Sequence, residues 1–244
     1  MKQALYNYYV IVACKVFNSL LKAMTLSLMV FIAGCTTSPP QNVDDVCEIF
    51  DEYYDWYSAS KEVEKKYGVP IGVTMAFIHQ ESRFVEDARP PREWFLWIFP
   101  GSRASSAYGY TQALDGTWTE YQRKTDQWSA DRDDFTDAVD FVGWYNSRTI
   151  KRTGIKRHDA YRLYLAYHDG AGGYLKGTYK KKPWLMKVSR KVDRRAKMYN
   201  RQLVQCRSTL DSGWLWRTLF GSNPFDSMRQ QKFARLAADS APLN

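Results

Sequence analysis

From Asp44 to Tyr67 the apolar residues Val46, Ile49, Phe50, Tyr53, Trp56 and Tyr57 recur at steps of three and four, the spacing of one stripe along a helix. Gly68 supplies a stop. Pro70 stands where a second helix starts, and Ile71, Val73, Met75, Ala76, Phe77 and Ile78 follow with little polar interruption until Glu81. A helix that is apolar around most of its circumference is a buried one. Further helical patterns occupy 115–125, then 134–151 with an acidic start and a basic end, then 158–168, and 183–206 after Pro183. Residues 84–110 hold the Pro90-Pro91 pair and the cluster Trp94, Phe95, Trp97 and Phe99, and predict a long surface loop. No two-residue alternation persists, so the expected class is mainly α. It comprises a helical domain over 44–206, a long aromatic loop inside it, and a C-terminal aromatic and basic tail over 207–244 that contains Trp214, Trp216, Phe220 and Phe225.

Ahead of the domain the pattern changes. Residues 1–34 carry Lys2, Lys15 and Lys22 and no acid, and an apolar run from Ala23 to Ala33 leads into Ile32-Ala33-Gly34-Cys35. The run is too short for a bilayer span, which takes about 20 residues, and reads as an export signal over 1–34. Small residues directly before a cysteine resemble the bacterial lipobox, which implies cleavage, lipidation of Cys35 and a lipid-anchored tether over 35–43. Thr36 follows where an Asp marks retention in the inner membrane, so the resemblance implies the periplasmic face of the outer membrane.

That compartment sorts the four cysteines. Cys14 leaves with the signal, Cys35 takes the lipid, and Cys47 and Cys206 remain in an oxidising space, either as a disulfide or as two separate buried thiols. Two lone Cys and three dispersed His offer no metal-ligand spacing, and nothing in the chain calls for a cofactor.

A chain of 244 residues with 45% apolar and 25% charged residues is an ordinary globular protein, not a disordered or polytopic one. Its net charge of +9 is concentrated: residues 176–197 contain ten Lys/Arg against Asp193. Export argues against a nucleic-acid partner. The patch fits an anionic envelope partner, stem-peptide carboxylates or lipid phosphates, or serves only as a solvated face.

One carboxylate stands out. Glu81 ends the apolar helix within the segment IHQESRF at 78–84, where desolvation holds a carboxyl protonated and ready to donate. Together with SSAYGYTQALDGTW at 105–118 and LAYHDGAGGY at 165–174, in that order, it resembles the SLT domain of lytic transglycosylases, a lysozyme-like family. The resemblance covers about 45–200. It implies peptidoglycan glycan strands as substrate, cleaved between N-acetylmuramic acid and N-acetylglucosamine with 1,6-anhydromuramic acid as product, and Glu81 as the single acid and base.

In the same resemblance Gly109 and Gln112 match the Gly and Gln of the family's Gly-Leu-Met-Gln turn, with Gln112 contacting glycan. Tyr110 and Thr111 replace its Leu and Met, and Tyr110 is expected to stack on sugar. Tyr167 inherits the role of hydrogen-bonding Glu81, with His168 and Asp169 departing from the family's Asn-Ala. The substrate-side serine is Ser105 or Ser106. Two rivals stay open: a hydrolase in which Asp115 or Asp169 activates water, and a catalytically weak peptidoglycan-binding lipoprotein that tethers an envelope assembly to the wall. The aromatic loop is a lid over glycan subsites, a membrane-interface wedge or a satellite hydrophobic cluster.

Overall fold

The structure, a computed structural model, describes residues 37–95, 99–103 and 105–220. The export signal, Cys35, Trp97 and the tail beyond residue 220 lie outside the described residues. Ser38 opens a compact unit.

Asp45 caps α1 (Val46–Glu52) by accepting hydrogen bonds from the backbone N–H groups of Cys47 and Glu48, at 2.8 and 3.4 Å. The apolar stripe is continuous, yet the helix breaks at Tyr53 and restarts as α2 (Tyr54–Tyr67). Gly68 closes α2 in the left-handed conformation, and α3 (Ile71–Ser82) starts straight after Pro70. Nine consecutive residues of α3, Ile71 to His79, are buried, as its near-continuous apolar sequence predicts.

The segment expected to be a structureless loop contains an antiparallel hairpin. Strands β1 (Arg92–Phe95) and β2 (Phe99–Arg103) pair Trp94 with Pro100 and Phe95 with Phe99, with a register irregularity between Arg92 and Trp94. Neighbouring aromatic residues favour a pleated ribbon even where Pro100 interrupts alternation. After it come α4 (Asp115–Thr125), α5 (Phe135–Thr153) and α6 (Ala160–Lys176), the last two capped by Asp134 and Asp159. Helix α6 outruns its expected end at 168 because Gly170, at φ 70° and ψ 155°, absorbs a kink that no L side chain tolerates well, and the helix resumes beyond it.

A short 3₁₀ turn (Thr178–Lys181) leads into α7 (Pro183–Phe220). This helix does not stop at Cys206. Its continuation buries Leu210, and Asp211 accepts a 2.5 Å hydrogen bond from Tyr57, so the domain boundary placed at 206/207 falls inside a packed helix. Helix α3 lies against α7, α2 against α5, and α6 against both α7 and α5. Cys47 of α1 and Cys206 of α7 are joined by a disulfide that closes a separation of 159 residues. It ties the first element of the domain to its last.

Candidate active site

Glu81 stands on α3 one turn beyond Phe77, so the two side chains share a face. The Phe77 ring meets two tyrosines of α6 edge-on, Tyr164 at 5.2 Å and Tyr167 at 5.3 Å between centroids. Tyr145 of α5 adds a third ring at 5.0 Å from Tyr167. The carboxyl is thus set beside the aromatic residues of its own helix and of α6, which Tyr145 of α5 backs. Burial pushes its pKa up to about 7, against a smaller opposing effect from a hydrogen bond with Tyr164. Burial, with the Glu81 charge adding to it, holds the hydroxyls of Tyr164 and Tyr167 far above their ordinary range, so both stay protonated donors.

Helix α3 ends abruptly after this residue. Arg83 and Phe84 both take positive φ, 54° and 64°, an unusual pair for side-chain-bearing residues. Burial secures the bend: Phe84 is fully enclosed, with its ring 5.8 Å from Trp56 and 5.9 Å from His79. Strain of this kind persists where packing over-determines it, and here it fixes the end of the helix that delivers Glu81.

The turn Gly109-Tyr110-Thr111-Gln112 is stitched to its surroundings by backbone. Gly109 has φ 73°, and a Cβ there would fall 2.1 Å from the Arg132 carbonyl oxygen, so only glycine fits. Gln112, also at positive φ, donates from its side-chain amide to the carbonyls of Ala88 at 2.8 Å and Gly109 at 2.9 Å. Tyr167 donates to the Thr111 carbonyl at 2.9 Å, which links the turn to α6. The Thr111 hydroxyl itself is buried with no hydrogen-bond partner among the described residues.

Two expectations about tyrosines need correcting. Tyr110 is 1% exposed and packs edge-on against Trp56 and Phe135, so it fills the core and presents no face to a sugar. The hydroxyl hydrogen-bonded to Glu81 belongs to Tyr164, whereas Tyr167 spends its proton on Thr111. Tyr164 and Tyr167 are one helical turn apart and both face Glu81, a relationship readable from their i, i+3 spacing but not assignable to one of them without coordinates.

The two candidate serines serve the chain locally. Ser105 accepts the Ala107 N–H at 3.4 Å, and Ser106 accepts the Asp115 N–H at 3.1 Å at the start of α4. Both are exposed. The two aspartates suspected of activating water are engaged elsewhere. Asp115 is ion-paired with Arg132 at 2.8 Å. Asp169 is enclosed and accepts from Lys182 at 2.6 Å and Thr178 at 2.7 Å, which keeps its carboxyl below the ordinary range despite burial. Neither contributes to the ionisation of Glu81.

No curated protein sequence matches the chain, but the family described as "Transglycosylase SLT domain" matches residues 23–206, which include Glu81, the Gly109–Gln112 turn and Tyr167. That span is most of the sequence and holds the whole helical frame from α1 to the middle of α7. The chain belongs to the transglycosylase SLT-domain family, whose fold is mainly helical and lysozyme-like and whose members act on peptidoglycan.

Proposed function

We propose that the protein is a peptidoglycan lytic transglycosylase in which Glu81 serves as both acid and base, held at the periplasmic face of the outer membrane by a lipid on Cys35. The observation that carries the reading is a single carboxyl, raised to about 7 by burial, on which no second carboxylate acts among the described residues.

At neutral pH a large fraction of Glu81 is protonated and donates to the glycosidic oxygen as the bond from the muramic C1 breaks. The neighbouring N-acetyl group of the substrate stabilises the cation. Glu81, now ionised and accepting a hydrogen bond from Tyr164, removes the proton of the C6 hydroxyl as that oxygen closes on C1. The proton gained equals the proton lost, and no water enters. Hydrolysis by the common two-carboxylate route needs a second group about 5–9 Å away, and Asp115 and Asp169 are occupied by Arg132, Lys182 and Thr178.

Within this reading Tyr167 acts through the turn, and Gln112, whose amide nitrogen is committed to backbone, offers its amide oxygen to the glycan. Mass analysis of sacculi treated with wild type and with Glu81→Gln tests the proposal. Anhydromuropeptides from wild type alone are expected. Reducing ends without the anhydro ring would replace it with a hydrolase, and no products from either would replace it with a binding role for the wall or an envelope assembly.

A further inference from the structure

At 100° per residue around α3, His79 lies opposite Phe77 and Glu81, with Ala76 and Gln80 on the flank between. Together with Arg83 they form one wall of a cleft of about 450 Å³. Helix α7 forms the other wall with Lys191, Val192, Arg194, Arg195 and Met198. Four cationic side chains therefore converge on one concave surface.

Arg195 is ion-paired with Asp44 at 2.6 Å. Among the described residues no acidic side chain lies within ion-pair reach of Arg83, Lys191 or Arg194, and all three are exposed. His79, 8% exposed, is held neutral by burial and by Arg195 and Arg83, with only Asp44 opposing them, so no further positive charge is added at the base. Guanidinium forks matched with an ammonium suit the oxygens of a phosphate better than those of a lone carboxylate, which would leave most of the charge uncompensated.

The position of the chain's entry says where such phosphates come from. Arg195 also donates to the Val43 carbonyl at 3.2 Å, and Tyr199 donates to the same oxygen. Val43, near the start of the domain, is thus held at the rim of the cleft. Seven residues lie between Cys35 and Val43, at most about 3.5 Å of contour each, and Ser38 and Gln41 among them are already held on the domain by Tyr53 and Glu52.

We infer that this cleft docks the phosphate groups of an anionic lipid surface, orienting the domain with α7 toward the membrane and Glu81 toward the wall. The inference uses the lipid-anchor reading only to choose the source of phosphate. Its test does not depend on the anchor, because the chain from Ser38 onward is a compact unit with neither signal nor acyl group.

Flotation of that chain with phosphatidylcholine vesicles, with and without phosphatidylglycerol, measures docking directly. Binding is expected only with phosphatidylglycerol, with Lys191→Glu/Arg194→Glu weakening it about tenfold or more. Lys180→Glu/Lys181→Glu, an equal change of charge outside the cleft, is expected to weaken it less than about threefold. Equal loss in both double variants would overturn the site in favour of unspecific charge attraction. Loss of sacculus binding with vesicle binding intact in the cleft variant would overturn it in favour of a cell-wall anion. Inorganic phosphate that saturates the cleft, read as a shift of the His79 ring resonances, without any vesicle binding would overturn the lipid source.

Discussion

His79 and Glu81 are two residues apart on α3, and burial acts on both, yet their ionisation moves in opposite directions. The imidazole falls to about 4, and the carboxyl rises to about 7. In each case the low-dielectric surroundings favour the neutral form. What separates them is company. His79 faces Arg195 and Arg83 across a basic cleft, whereas Glu81 lies beside Tyr164 and Tyr167, with Tyr145 packed behind Tyr167. One helix therefore carries a neutral base on a charged face and a neutral acid on an aromatic face, and only the latter can give up a proton near neutral pH.

The largest expected effect sharpens that contrast at the acid. Glu81→Gln should lower the turnover of sacculi by at least about 10³-fold, since the proposed mechanism has no second acid or base to take over. His79→Gln should leave turnover within about threefold of wild type. A comparable loss in both variants, measured by release of soluble muropeptides, would mean that the two faces do not have separate jobs.

Stability against pH separates them next. The folded pKa of Glu81 lies above its ordinary 4.5, so the native state holds a proton that the unfolded chain releases, and stability is lost as pH rises from about 4.5 to 7. The folded pKa of His79 lies below its ordinary 6.5, so its contribution is complete above that value and is lost as pH falls toward about 4. The two slopes oppose each other in the wild type. Relative to wild type, Glu81→Gln should therefore gain stability as pH rises through this window, and His79→Gln should lose it, each by at most about 3 kcal/mol. Urea unfolding at several pH values checks the pair, and parallel curves for the two variants would contradict the assignment.

How much of this was legible beforehand varied with the physics involved. The buried α3, its start after Pro70 and the helices at 115–125 and 134–151 follow from periodicity and capping, which are local. The break at Tyr53 did not show, because the apolar stripe runs through it unchanged. The hairpin at 92–103 is a pairing between segments whose own patterns do not alternate. The continuation of α7 past Cys206 depends on Leu210 and Asp211 meeting α2, a contact over 150 residues distant in sequence. At the site, the motifs located Glu81, Gly109, Gln112 and Tyr167, but which tyrosine hydroxyl meets the carboxyl and which ring enters the core are tertiary facts. Burial decided Tyr110, whose ring packs edge-on against the stacked pair Trp56 and Phe135.

A smaller effect distinguishes the two tyrosines. Tyr164→Phe removes the hydrogen bond that favours ionised Glu81, so the alkaline limb of the pH–rate profile should move upward and kcat fall about tenfold. Tyr167→Phe frees the Thr111 carbonyl and loosens the turn that carries Gln112, so it should raise KM more than it lowers kcat. An upward shift of the limb with Tyr167→Phe and none with Tyr164→Phe would reverse their roles.

The account stands on a carboxyl that burial keeps half-protonated near neutral pH. Carbon-13 NMR titration of the Glu81 side-chain carboxyl in the free protein, assigned by its absence in Glu81→Gln, reads that property directly. A midpoint near 7 is the expected result. A midpoint at an ordinary carboxyl value of about 4 to 5 would contradict the account, because Glu81 would then be ionised at the pH where it has to donate.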